Sequence, residues 1–173
     1  LTFSNFEKTL ENNLFYEKNP KIAIGVSGGP DSLALAILLN QWSKKKKGNL
    51  IVLIINHRIR LESYAESLQT KKFLFSKGIK GKIVSVAKEK VKDGKLSQAR
   101  DNRFEILLNY CQKNKIFHLV LGHHFDDNLE TFILRKIAGS NFEGLNSIQF
   151  TTIFENIQVV RPLLFHTKKE ILS

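Results

Sequence analysis

Phe6, Leu10 and Leu14, each four residues apart, put one apolar stripe along the N-terminal stretch and predict a helix over residues 4–18. The pattern then changes period. Residues 22–26, Ile-Ala-Ile-Gly-Val, form an apolar run too short for a helix, which ends in Ser27-Gly28-Gly29-Pro30-Asp31-Ser32 and passes into helix formers over residues 33–42. That succession is strand, loop and helix. It recurs as strand 50–55 with helix 62–77, strand 82–86 with helix 97–114, and strand 118–122 with helix 128–138. Residues 139–146 read as a polar, glycine-containing loop and residues 157–160 as a fifth strand, while Thr167-Lys-Lys-Glu170 has capping-box spacing and opens one more helix.

Strands that are apolar throughout and alternate with helices predict an α/β fold, a doubly wound parallel five-stranded sheet with helices on both faces. In the strand order 3-2-1-4-5 the switch point falls between strands 1 and 4, where ligands bind at the carboxyl ends. The loops over 27–32 and 123–127 follow those two strands and would face each other across one crevice. A chain of 173 residues is expected to form one domain, 1–173, burying roughly 70% of the surface of its unfolded form.

Composition narrows the possibilities. Hydrophobic residues make up 42% and charged residues 25%, as in an ordinary globular protein. No apolar run is long enough to span a bilayer and the charged N-terminus is unlike a signal peptide, which points to a cytoplasmic protein without a membrane partner. The one cysteine, Cys111, leaves no disulfide and no CxxC pair, so it is expected to be an inert buried thiol. A net charge of +11 favours an acidic partner, nucleic acid first. The run Lys44 to Lys47 is open between a solvated tip and a phosphate-contacting patch. Arg58, Arg60, Arg100, Arg103, Arg135 and Arg161, in contrast, all lie in or beside the segments discussed next, where a rigid guanidinium fork can do what lysine cannot. There is no methionine, and the final helix has only begun where the sequence stops, so a longer protein is expected.

Ser27, Gly28, Gly29, Pro30, Asp31 and Ser32 join a strand to a helix N-terminus, where free amides and the helix dipole favour an anion. Two glycines allow close backbone approach and two hydroxyls add donors. No lysine follows the glycines, so the loop is not a Walker A. A tight turn with a helix cap explains any one of these residues but not all six together. The segment resembles the SGGxDS loop of the N-type ATP pyrophosphatases, of the adenine-nucleotide α-hydrolase (PP-loop) type. That resemblance implies cleavage of ATP to AMP and pyrophosphate, with adenylation of a carbonyl oxygen.

Four further segments select a branch. Asn56-His-Arg-Ile-Arg-Leu-Glu-Ser63 is similar to the DHGLRxxS segment of the lysidine synthetase family, with Asn for Asp and Arg for Gly. Ala99-Arg-Asp-Asn-Arg-Phe104 is similar to its ARxxRY, Gly122-His-His-Phe-Asp-Asp-Asn-Leu-Glu-Thr131 to its GHHxDDxxET, and Arg161-Pro-Leu-Leu164 to its RPLL. Arg100 and Arg103 share a helix face, which alone could be a solvated basic face. Two His and two Asp within 123–127 could suggest a transition metal, but one cluster without distant ligands is weak evidence for it.

The resemblance implies a set of roles. ATP and Mg2+ sit over Ser27 to Ser32, with Asp31 and Asp126 organising the metal or the loop. Arg100 or Arg103 meets phosphate charge, Asp127 and Glu130 hold the ammonium of free L-lysine, and His123 and His124 contact nucleotide or substrate. Asp31, Arg103, Asp127 and Glu130 are therefore the candidate catalytic residues. The implied substrate is isoleucine tRNA with a CAU anticodon, bound by C-terminal tRNA-binding domains beyond these residues, and a homodimer is compatible with the family. Two rivals stay open: a tRNA thiolation enzyme of the same superfamily, and a basic RNA-binding module that keeps the fold without the chemistry.

Overall fold

The computed structural model describes residues 1–56, 58, 62–86, 96–137 and 148–173, without the side chains of 96–101, 131, 132 and 134–137. The apolar runs read as strands over 22–26, 50–55, 82–86, 118–122 and 157–160 each contain or overlap a strand. In order the elements are α1 (Phe3–Asn13), β1 (Lys21–Val26), α2 (Pro30–Lys45), β2 (Asn49–Asn56), α3 (Ser63–Ser76), β3 (Gly81–Ser85), α4 (Leu96–Lys113), β4 (His118–Val120), α5 (Phe125–Ile137), β5 (Thr151–Phe154), β6 (Ile157–Val160) and α6 (Lys168–Leu172). The expected loop over 139–146 lies outside the described residues.

The strands form one sheet in the order β3-β2-β1-β4-β6-β5. β1 pairs in parallel with both β2 and β4, which places the switch point between β1 and β4 as expected. The strand read over 157–160 is β6, parallel to β4. The count of five strands is corrected to six, because Thr151–Phe154 folds back antiparallel on β6. Its turn is Glu155-Asn156, with φ of 46° and 69°, the left-handed pair that a two-residue hairpin requires. No glycine marks that turn and β5 buries none of its side chains fully, so neither usual signal was present.

Alternation along β1 divides the core into two layers. Ile22, Ile24 and Val26 face a cluster containing Phe6, Leu10, Leu35, Leu39 and Trp42, from α1 and α2. Ala23 faces the other way, into a cluster with Leu107 and Cys111 of α4. Gly25 lies on this second face, where an added Cβ would meet Leu107 Cδ1 at 2.6 Å, so glycine sets how closely α4 approaches the strand.

α2 starts earlier than its apolar residues suggest, with Gly29 as N-cap and Pro30 in the first turn, where a missing N–H costs nothing. Its far end carries the lysine run, whose tip is not simply solvated. Lys45 pairs with Glu7 at 2.8 Å and Lys46 with Glu11 at 2.5 Å, docking the end of α2 on α1. Glu11, as hydrogen-bond partner, raises the Lys46 pKa. A helix of 16 residues puts this run about 24 Å from the glycine loop.

Candidate active site

The loop between β1 and α2 is shaped by Gly28, whose φ of 90° is a conformation L side chains rarely adopt. An added Cβ there would also stand 2.6 Å from Thr70 Oγ1 of α3. Ser32 Oγ donates to the Gly29 carbonyl at 2.8 Å and lies 3.3 Å from Ser27 Oγ, so the two hydroxyls stand together at the start of α2. Facing them is the segment after β4. Gly122 passes close enough that a Cβ on it would sit 3.6 Å from Ser32 Cα, and α5 begins three residues later.

His124, only 8% exposed, bridges the two loops. Its Nε2 is 3.7 Å from Asp31 Oδ2, and its Nδ1 is 3.6 Å from both Asp126 and Asp127. Its backbone N–H donates to Asp127 Oδ2 at 2.9 Å, so a carboxylate in the first turn of α5 caps the helix start. Asp31 Oδ1 is buried without a hydrogen-bond partner, an orphan that a cation would satisfy. Among the described residues no group of three or more His, Cys, Asp and Glu is arranged to hold a metal ion.

These groups enclose a cavity of about 220 Å3 lined by Ser27, Gly29, Asp31, Ser32, Arg103, His123, His124 and Asp127, with an apolar floor from Leu107 and Leu121. Other sequence candidates lie elsewhere. Gly28 opens on a neighbouring cavity beside Glu66, Gln69, Thr70 and Phe73. Pro30 is exposed on the outside of the loop, and Glu130 is exposed one helical turn beyond Asp127. Asp126 turns toward α6, accepting the Lys168 N–H at 2.8 Å. The Arg100 side chain lies outside the described residues. Asn56 is buried, accepting the Arg58 N–H at 3.1 Å, and so organises the turn after β2.

The family model described as a PP-loop domain, an ATP-binding model, matches residues 2–173. The chain belongs to the PP-loop domain family. It is 36% identical over 167 residues to the tRNA(Ile)-lysidine synthase of Orientia tsutsugamushi (strain Boryong), which covers 96% of the chain and 38% of that protein. It is also 36% identical over 168 residues to the tRNA(Ile)-lysidine synthase of Wolbachia pipientis wMel, again 96% of the chain and 38% of the relative. The chain thus spans well under half the length of the curated relatives it matches. Among solved structures, the U34-tRNA thiolase of Methanococcus maripaludis, with its 4Fe–4S cluster, aligns at a TM-score of 0.79 and 24% identity, over 98% of this chain and 61% of that one, a likeness of fold.

This PP-loop domain has, on the Arg103 side of the 220 Å3 site, a second adjoining cavity, of about 200 Å3, for which sequence reasoning gave no role. It adjoins the first, sharing Arg103, Leu107, Leu121 and His123, and adds Phe104, Phe154 and Arg161. Arg161 was visible within the RPLL segment, but Phe154 comes from the unexpected β5. Arg161 is 8% exposed, and burial lowers its pKa.

Proposed function

We propose that the protein carrying this domain ligates free L-lysine onto C2 of the wobble cytidine of isoleucine tRNA with a CAU anticodon, in the cytoplasm. The C2 oxygen attacks the α-phosphate of ATP, pyrophosphate leaves, and the lysine amine then displaces AMP. One observation carries the reading: a single cavity joins the hydroxyls and amides of the phosphate loop and Arg103 to the Asp127 carboxylate. The names of the two bacterial relatives, tRNA(Ile)-lysidine synthases, support the isoleucine tRNA and the lysidine product.

The two halves meet opposite electrostatic demands. Pyrophosphate departure places negative charge where the α2 N-terminus, Ser27, Ser32 and Arg103 present donors. Mg2+ fits here on the chemistry of Asp31, whose buried Oδ1 lacks a partner, because Mg2+ is commonly held by one or two carboxylates together with phosphate oxygens. When bound, it neutralises phosphate charge. Lysine capture needs carboxylates for ammonium groups, and Asp127, fixed by the His124 N–H, with the exposed Glu130 one helical turn further along α5, supplies them. A thiolation reading asks for reactive cysteines, whereas Cys111 is fully buried in α4 and burial pushes its thiol up to about 12.

The test is full-length protein with tRNA, ATP and labelled lysine, followed by nucleoside analysis. Lysidine and one AMP per turnover are expected. ATP consumed without label in the tRNA refutes the ligase reading, and no AMP at all favours the non-catalytic RNA-binding module.

A further inference from the structure

The cavity walled by Phe104, Leu107, Leu121 and Phe154 has an unusual combination of features. Its walls are apolar, and Phe104 meets Phe154 edge to face with centroids 5.0 Å apart. Among the described residues no carboxylate lines it, yet Arg103 and Arg161 both do. Arg161 is anchored through Nη1, which donates to Gln149 O at 2.9 Å and Thr152 Oγ1 at 3.1 Å. Its Nε is buried without a hydrogen-bond partner. Leaving a buried charged donor unsatisfied is expensive, so the site asks for a ligand that supplies an acceptor.

The complementary ligand has flat apolar faces and an acceptor on its edge. Free lysine fits poorly: its carboxylate can accept, but it has no flat apolar face and would bring two ammonium groups against two guanidinium groups. An unstacked nucleobase fits, because bases splayed out of RNA stack on aromatic rings and are read along their Watson–Crick edge. Resting on the function proposed above, we propose that this cavity seats the accepting wobble base and that Arg161 selects cytosine over uracil by donating to its N3 edge. Cytosine N3 carries a lone pair and accepts. Uracil N3 carries a hydrogen, so against Arg161 two buried donors face each other and neither is satisfied, the kind of mismatch by which polar sites reject analogues most strongly. Adenylation at O2 leaves the cytosine ring cationic, which a guanidinium opposes. Arg161 therefore acts on binding of the neutral base rather than on the rate of the chemical step.

The experiment measures the dissociation constants of full-length protein for two transcripts of the same tRNA, with wobble cytidine or wobble uridine, before ATP is added. Native protein should prefer cytidine by tenfold or more. R161K and R161M should reduce that ratio to within twofold while ATP-analogue affinity changes less than threefold, whereas a merely structural role would weaken both transcripts equally. Phe154→Leu reports separately on stacking: the advantage of wobble cytidine over an abasic wobble position should shrink severalfold. An unchanged cytidine-to-uridine ratio in both Arg161 variants, or an unchanged abasic comparison in F154L if those variants fail to fold, overturns the proposal. So does a loss confined to lysine affinity. Native protein that forms no AMP adduct with either transcript refutes the ligase reading instead, and the binding ratios still decide the seat.

Discussion

Replacing Gly28 by alanine tests whether the glycine loop is held in shape from outside. The added Cβ meets two costs that the structure separates. At φ 90° an L residue is strained, by roughly 1–2 kcal/mol. The Cβ would also lie 2.6 Å from Thr70 Oγ1, which donates to the Glu66 carbonyl at 3.0 Å; turning that hydroxyl away sacrifices a bond of about 1 kcal/mol. G28A should therefore destabilise the domain by about 2–3 kcal/mol. Thr70 Cβ lies 3.8 Å away, ordinary contact, so in a T70A background only the φ strain remains. A double-mutant cycle should return about 1 kcal/mol of coupling. Urea unfolding can be followed on Trp42, the single tryptophan, which is fully buried. With a slope of about 2 kcal/mol/M, G28A alone should lower the midpoint by about 1 M or slightly more. Equal costs of G28A in both backgrounds would refute the Thr70 wall, and a cost below about 0.5 kcal/mol would refute the left-handed loop.

Four further expectations follow from the site and its surroundings. S27A should weaken ATP turnover without moving the unfolding midpoint, S32A should weaken turnover and, through the lost bond to the Gly29 carbonyl, also cost about 1 kcal/mol without unfolding the domain, and tRNA-dependent turnover should yield AMP and pyrophosphate; stoichiometric ADP by chromatography would contradict the assigned chemistry. Glu130→Gln should raise the lysine concentration required by tenfold or more, about 1.4 kcal/mol, while lysine-independent adenylation persists in single-turnover assays; loss of adenylation with lysine binding intact would move Glu130 to the nucleotide half. Neutralising Lys44 and Lys47, which make no ion pair with α1, should leave stability unchanged and flatten the salt dependence of tRNA binding by about 0.7–0.9 for each phosphate no longer neutralised, whereas neutralising Lys46 should also loosen α1; an unchanged slope assigns the run to solvation. Cys111 has its pKa raised from 9.0 to about 12, so the fold favours the protonated thiol: its stabilisation is complete below pH 9 and is lost as pH rises toward 12. Thiol reagents should accordingly label Cys111 only as fast as the protein unfolds, and rapid labelling at pH 8 would contradict its burial.

The parallel strands were legible because each is apolar along its whole length, as a strand covered on both faces must be. β5 was not, since half-exposed Thr151-Thr152-Ile153-Phe154 and a glycine-free turn resemble loop. The glycine loop over 27–32 was legible for a different reason: its shape depends on consecutive residues, so the motif carries its own geometry. Contacts across the crevice are another matter. Nothing in the sequence ties His124 to Asp31, 93 positions earlier, or turns Asp126 toward Lys168 while its neighbour Asp127 faces the cavity. Those outcomes depend on how strands β1 and β4 lie side by side and where α6 docks, information distributed over the whole core.

The hairpin that adds β5 enters the sheet at its rim, by a two-residue reversal rather than a crossover. β5 lies on the path from β4 to β6, yet in the sheet it stands beyond β6 and away from β1, so its side chains can vary while the loop after β1 stays in place. A four-residue edge is also a poor template for pairing with another chain, which makes such variation safe. Phe154 stands on that edge. The aromatic wall of the second cavity is thus an exchangeable part mounted on a fixed chassis, and under the proposed function it is the place where the PP-loop core would be fitted to its acceptor.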